Sequence, residues 1–227
     1  MAGLYWMMLT FFLAAPNSSA ALDLAWLADV VRAIKNEYGT KGMFSLAVRI
    51  PYDGNLNQIL QQVFTSDPRN NVRNTINNNE VYSGYRVVAA KVKQPDHAES
   101  RVVDHLDDLF RQSNDNDKDL LLFYVFASPC VEKCTNKYNP GCILERIKSI
   151  QQWNNYAVVF STIFKPKNGY CNTSTERSTA LELLGGSVGL NNIFRCSPYK
   201  CTCCSTGTGV ADSCVSDDTN TGLYFSR

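Results

Sequence analysis

The sequence predicts an α/β fold: a central, largely parallel portion of sheet with helices packed against it, followed by a cysteine-rich tail. Three observations carry this. Short apolar runs that read as strands alternate with segments whose apolar residues recur at helical spacing, the pattern of right-handed βαβ units. The chain has 227 residues, 44% of them hydrophobic, enough to bury one core of ordinary size. After Cys196 the periodicity stops and Cys, Ser, Thr and Gly take over.

The elements follow in order. The first twenty residues carry no Lys, Arg, Asp or Glu, and residues 4–15 are apolar apart from Thr10. Small residues follow at Ser18, Ser19, Ala20 and Ala21, so residues 1–20 are expected to be a secretory signal that is cleaved. No later run approaches the roughly 20 apolar residues of a membrane-spanning helix. The expected organisation is a signal at 1–20, a domain at 21–195 and a disulfide-held tail at 196–227.

Leu27, Val30, Val31, Ile34 and Tyr38 recur at helical spacing and Gly39 supplies a stop. Phe44, Leu46, Val48 and Ile50 alternate with Ser45, Ala47 and Arg49, the period of a half-buried strand. Residues 66–80 are Asn-rich and aperiodic, which predicts a loop. A strand is expected over 82–92, and a helix whose apolar face is Val102, Val103, Leu106, Leu109 and Phe110.

Residues 120–127 form a continuous apolar run, expected of a strand buried on both faces. Ser128 as N-cap and Pro129 at the first helical position predict a helix there, broken at Asn139-Pro140-Gly141. Helical spacing resumes with Ile143, Leu144, Ile147, Ile150 and Trp153, and residues 156–164 read as another strand. Thr173 to Glu176 has the spacing of a capping box ahead of Leu181 and Leu184.

This order assembles a site. The strands before His97 and before Ser128 are joined by one helix, so they should run parallel, and ligands of open α/β sheets bind at that carboxyl edge. At it stand His97-Ala98-Glu99 and, thirty residues after the glutamate, Pro129-Cys130 with Cys134. One imidazole nitrogen and two thiolates from His97, Cys130 and Cys134 give three tetrahedral ligands for one Zn²⁺ ion, and the open fourth position marks a catalytic rather than a structural zinc. Glu99 is suited to carry a proton from water to a leaving amine.

Each residue has a plainer explanation. Asp96 and Glu99 fit a capping box, and Cys130 and Cys134 could pair as a disulfide. Joint occurrence in this order favours the metal site. His105 lies between Asp104 and Asp107 and reads as a surface histidine. Seven of nine cysteines remain for an oxidising compartment, an odd number whose pairing the sequence leaves open. Cys201, Cys203 and Cys204 fit disulfides better than a second metal.

Asn172-Thr173-Ser174 is an N-glycosylation sequon expected on a surface loop. Tyr138, Phe164, Lys165 and Lys167 are candidates to stack a base or meet a phosphate. The formal net charge of +1 does not advertise the basic surface usual in proteins that hold long nucleic acids, which favours a free nucleoside, while the seven Lys/Arg of residues 129–177 leave room for a local basic patch near the site.

His97-Ala98-Glu99 with Pro129-Cys130 to Cys134 resembles the zinc-dependent cytidine deaminase superfamily, and Phe126-Ala127-Ser128-Pro129-Cys130 resembles the corresponding segment of its AID/APOBEC-like polynucleotide deaminases. With the signal and the Cys-rich end, the chain looks most like the secreted novel AID/APOBEC-like branch. The resemblance implies a mixed five-stranded sheet flanked by helices, zinc on His97, Cys130 and Cys134, Glu99 as proton shuttle and Ser128 as a substrate contact. It implies hydrolysis of cytosine to uracil at C4 of an unstacked base in single-stranded nucleic acid, and a secreted enzyme with a place in defence against foreign nucleic acid.

Two departures bear on the substrate. Ala127 stands where polynucleotide-acting relatives carry Trp, and three residues separate the cysteines where two are commoner. The alternatives are a deaminase of free cytidine and a zinc-stabilised secreted binding protein without turnover. No membrane partner is expected, and oligomeric state is not legible.

Overall fold

The computed structural model describes residues 22–112, 118–165 and 172–217. The expected signal at 1–20 lies outside them, as do Lys167 and Cys171.

Helix α1 (Leu24–Tyr38) begins at Asp23, whose carboxylate accepts from the Ala25 and Trp26 amides, and buries Leu27, Val30, Val31, Ile34 and Tyr38. It covers strand β1 (Phe44–Ile50), which is buried along its whole length. Helices α2 (Leu56–Ser66) and α3 (Arg69–Asn77) follow on the same face. The Asn-rich segment is therefore helical where a loop was expected. Val72 and Ile76, four apart, are both fully buried, and this pair of anchors outweighs the poor helix propensity of Asn.

The strand expected over 82–92 is two, β2 (Tyr82–Ser83) and β3 (Val87–Lys91), divided at Gly84. A side chain there would stand 1.8 Å from Asp67 Oδ1, an oxygen that already takes the Tyr85 amide and the Tyr82 hydroxyl. Two short helices, α4 (Ala98–Val103) and α5 (Leu106–Arg111), fill the place of the single helix expected there. Strand β4 (Leu120–Ala127) and strand β5 (Asn155–Thr162) pair in parallel.

Pro129 does not start a helix. Ser128 continues the strand by donating its amide to Thr162 O, residues 131–135 make one turn, and a 3₁₀ helix forms only at Arg146–Gln152. The expected capping box is present at the start of α6 (Ser174–Val188), with Thr173 and Glu176 exchanging hydrogen bonds. Strands β6 (Ile193–Cys196) and β7 (Cys201–Cys203) and the short helix α7 (Asp212–Val215) end the described chain.

The sheet has seven strands in the order β2-β3-β1-β4-β5-β6-β7, against the five the resemblance implied. Short strands at the two edges account for the difference: β2, split from β3 at Gly84, and β7, from the Cys-rich segment. Disulfides Cys196–Cys201 and Cys204–Cys214 brace that segment, while Cys142 and Cys203 are free thiols.

The sheet is mixed: β4, β5 and β6 are parallel, and β1 is antiparallel to both neighbours. Strands β3 and β4 therefore run the same way, as expected, but with β1 between them. Helices α1, α2 and α3 cover one face, and α4, α5, α6 and the 3₁₀ helix cover the other. Among the described residues no helix is long and apolar enough to cross a membrane.

Candidate metal centre

Strand register explains how residues far apart in sequence meet. Ser45 of β1 lies opposite Ala90 of β3 on one side and Val125 of β4 on the other, so β3 and β4 end at one edge of the sheet. Past β3, the Lys93 and Asp96 backbones bond reciprocally, a tight turn that delivers His97 to the N-cap of α4. Past β4, Ser128 and Pro129 lead directly to Cys130.

The donor atoms of His97, Cys130 and Cys134 lie within 4.8 Å of one another, the one such His/Cys/Asp/Glu group among the described residues. His97 Nδ1 is 3.3 Å from Cys134 Sγ. Bonds of about 2.0–2.3 Å to a tetrahedral zinc place donors roughly 3.3–3.8 Å apart, so a small contraction of this cluster fits the ion. The cysteines are reduced in this structure rather than paired.

The thiols differ in acidity because they share protons. Cys130 is held well below the ordinary thiol range by the Cys134 hydrogen bond, with the Lys133 and Glu132 amides and His97 assisting against burial. Cys134 is pushed up by that same hydrogen bond, by its burial and by the nearby Glu99 carboxylate. Amides aimed at the Cys130 sulfur favour the thiolate that a metal needs.

Glu99 is 4% exposed, and its Oε1 accepts from Cys134 Sγ at 2.8 Å and lies 3.5 Å from His97 Nδ1. Burial pushes this carboxyl up, but the hydrogen bonds from His97, Cys134 and its own amide outweigh it and hold it below the usual range. His97 is raised, by its hydrogen bond to Glu99 first, against burial. The N-cap of α4 is His97 rather than Asp96, and it makes no side-chain cap bond, so the capping-box explanation of Asp96 and Glu99 does not hold.

Ser128 is 6% exposed, and its hydroxyl accepts the Phe164 amide at 2.9 Å, which fastens the end of β5 to the end of β4. The Phe164 ring lies 6.1 Å from that of His97, so this one of the four stacking candidates is at the site. Tyr138 is 84% exposed on the turn after Cys134. Lys165 is exposed and pairs with Asp217. Ala127 is buried and, with Glu99 and Pro129, walls an apolar cavity of about 20 Å³, room for roughly one water.

Other residues lie elsewhere or were not anticipated. His105 pairs with Asp108 at the surface, as expected of a solvated histidine. Asn172 precedes Thr173, the N-cap of α6, and is only 7% exposed, unlike the exposed placement expected of the sequon. Arg146, which no motif singled out, makes five hydrogen bonds beside the cluster. Its only sequence signal is being a cation among the polar positions of a helical repeat.

The family model described as Secreted Novel AID/APOBEC-like Deaminase 1 matches residues 24–218, most of the chain. No curated protein and no solved structure gives a match.

Proposed function

This chain belongs to the secreted novel AID/APOBEC-like deaminase 1 family, and from that premise we propose that it is a secreted zinc-dependent hydrolase converting cytosine to uracil in single-stranded nucleic acid. The observation that carries the reading is the pairing of a His-Cys-Cys donor set with a buried glutamate in contact with two of its members. A structural zinc site needs four ligands and no such acid.

His97, Cys130 and Cys134 would hold the ion. Zinc, when bound, supplies Lewis acidity toward water and toward charge developing on the base. Glu99 Oε1 takes the proton of the attacking water and returns it to the amine leaving C4, which is general acid–base work. Burial of the carboxylate keeps bulk water from competing for that proton. Ser128, one lone pair engaged by Phe164, retains a hydroxyl proton to donate to a substrate, and the Phe164 ring flanks the base.

Secretion is supported by the family description, by two disulfides and by the charge-free first twenty residues. Buried Ala127, in place of an aromatic wall, favours a second reading in which free cytidine is the substrate. Zinc-loaded protein incubated separately with single-stranded DNA, single-stranded RNA and cytidine distinguishes the two. Uracil from the oligonucleotides is expected; uridine from cytidine alone sinks the polynucleotide reading.

A further inference from the structure

We infer that Arg146 is the positioning residue that holds the two halves of the metal site in register, an inference that rests on the zinc reading above. The halves are separate pieces of chain. His97 and Glu99 ride on α4, whereas Cys130 and Cys134 sit on one turn followed by irregular chain up to the 3₁₀ helix. A helix running on from Pro129 would have fixed the cysteine spacing by its own hydrogen bonds. This chain lacks that helix, so something else must set where Cys134 stands relative to His97.

The Arg146 guanidinium spans the gap. Toward α4 it donates from Nη1 to Ser100 O at 3.1 Å and from Nη2 to Ser100 Oγ at 2.8 Å, one residue past Glu99. Toward the cysteine segment it donates from Nε and Nη2 to Cys142 O at 3.2 and 3.0 Å. The residue after Cys142, Ile143, donates its amide to Cys134 O at 2.9 Å, so the grip on Cys142 is passed to the ligand's own backbone. Asp104, which ends α4, takes a further Arg146 Nη1 bond and neutralises the cation.

Two other side-chain bonds join the halves: Lys133 donates to Pro95 O at 3.2 Å from an exposed position open to water, and the buried Cys134–Glu99 bond does not survive metal binding. Cys134 donates to Glu99 only while it keeps its proton, and as a ligand it is a thiolate. The Arg146 contacts need no proton from any ligand, so metal binding does not of itself remove them. Lysine cannot replace them, because one ammonium does not reproduce a planar fork addressing two carbonyls and a hydroxyl at fixed angles.

The test is the zinc dissociation constant, by chelator competition, of full-length wild type, Arg146→Lys, Arg146→Ala and Ser100→Ala, with the cobalt(II) spectrum of each. Thr173→Ala, which weakens the cap of α6, serves as a control for general destabilisation. Both Arg146 variants should bind zinc about 10–100-fold more weakly, the range for losing an outer partner of a metal site, with Ser100→Ala between them and wild type. Should Arg146→Ala fail to fold, Arg146→Lys and Ser100→Ala still decide. A constant for Arg146→Lys equal to wild type, or no weaker than Thr173→Ala, overturns the inference while leaving the zinc reading intact. Wild type that takes up no zinc overturns that reading and this inference with it.

Discussion

Replacing Glu99 by glutamine separates metal binding from proton transfer. The amide is nearly isosteric with a carboxyl that is 4% exposed, so the change opens no cavity and leaves His97, Cys130 and Cys134 in place. It removes the group that moves the proton. Losing a general acid–base residue costs about 10²–10⁴ in rate. At 1.36 kcal/mol per decade that is about 3–5 kcal/mol of barrier. Ammonia release from a cytosine-containing oligonucleotide gives the rate, and atomic absorption on the same sample gives zinc per chain. The expected result is one zinc retained with turnover reduced by at least a hundredfold. A Glu99→Gln protein working within about threefold of wild type would refute the assignment, since 0.7 kcal/mol or so is too little for the loss of a proton carrier.

Other outcomes follow from named contacts. Cys130→Ser and Cys134→Ser should each lose zinc and activity together, and a variant of either kind that keeps a full equivalent of metal by atomic absorption would remove that residue from the ligand set. Gly84→Ala forces a methyl to within 1.8 Å of Asp67 Oδ1 and 2.6 Å of the Tyr82 ring, and should cost at least about 2 kcal/mol in urea unfolding. An unchanged midpoint would show that this turn yields easily. Replacing both Cys204 and Cys214 by Ser opens a loop of sequence separation 10 and should cost about 2–3 kcal/mol by thermal unfolding. No change there would mean the unfolded chain is equally restricted without the bridge.

Much of the site was legible in the sequence because its chemistry is compact. His97, Glu99, Cys130 and Cys134 occupy two short segments, and the alternation of strand and helix was enough to bring both to one sheet edge. Where reading failed, tertiary contacts overrode local signals. Residues 69–77 look like a loop by composition, yet two buried anchors at Val72 and Ile76 make them helical. Ser128-Pro129 has a good helix-start pattern, but pairing of β4 with β5 draws Ser128 into the sheet.

Asparagine side chains then compete with helical hydrogen bonds beyond Cys134: Asn136 Oδ1 accepts from the Tyr138 amide and Asn139 Oδ1 from Gly141. Helix α2 lies outside every element the periodicity predicts, although Ile59, Leu60 and Val63 carry its buried face. Arg146 could not have been found from its own neighbourhood, because its partners Ser100 and Asp104 are more than forty residues away. Strand β7 was hidden because three residues of Cys and Thr carry no readable alternation.

The most direct measurement is the intact mass of a single-stranded oligonucleotide bearing one cytosine, before and after incubation with protein carrying one zinc per chain. Replacing the amine of cytosine by oxygen adds about 1 Da, and the expected result is that shift with wild type and none with Glu99→Gln. An unchanged oligonucleotide and unchanged cytidine in the presence of fully zinc-loaded wild type would contradict the account.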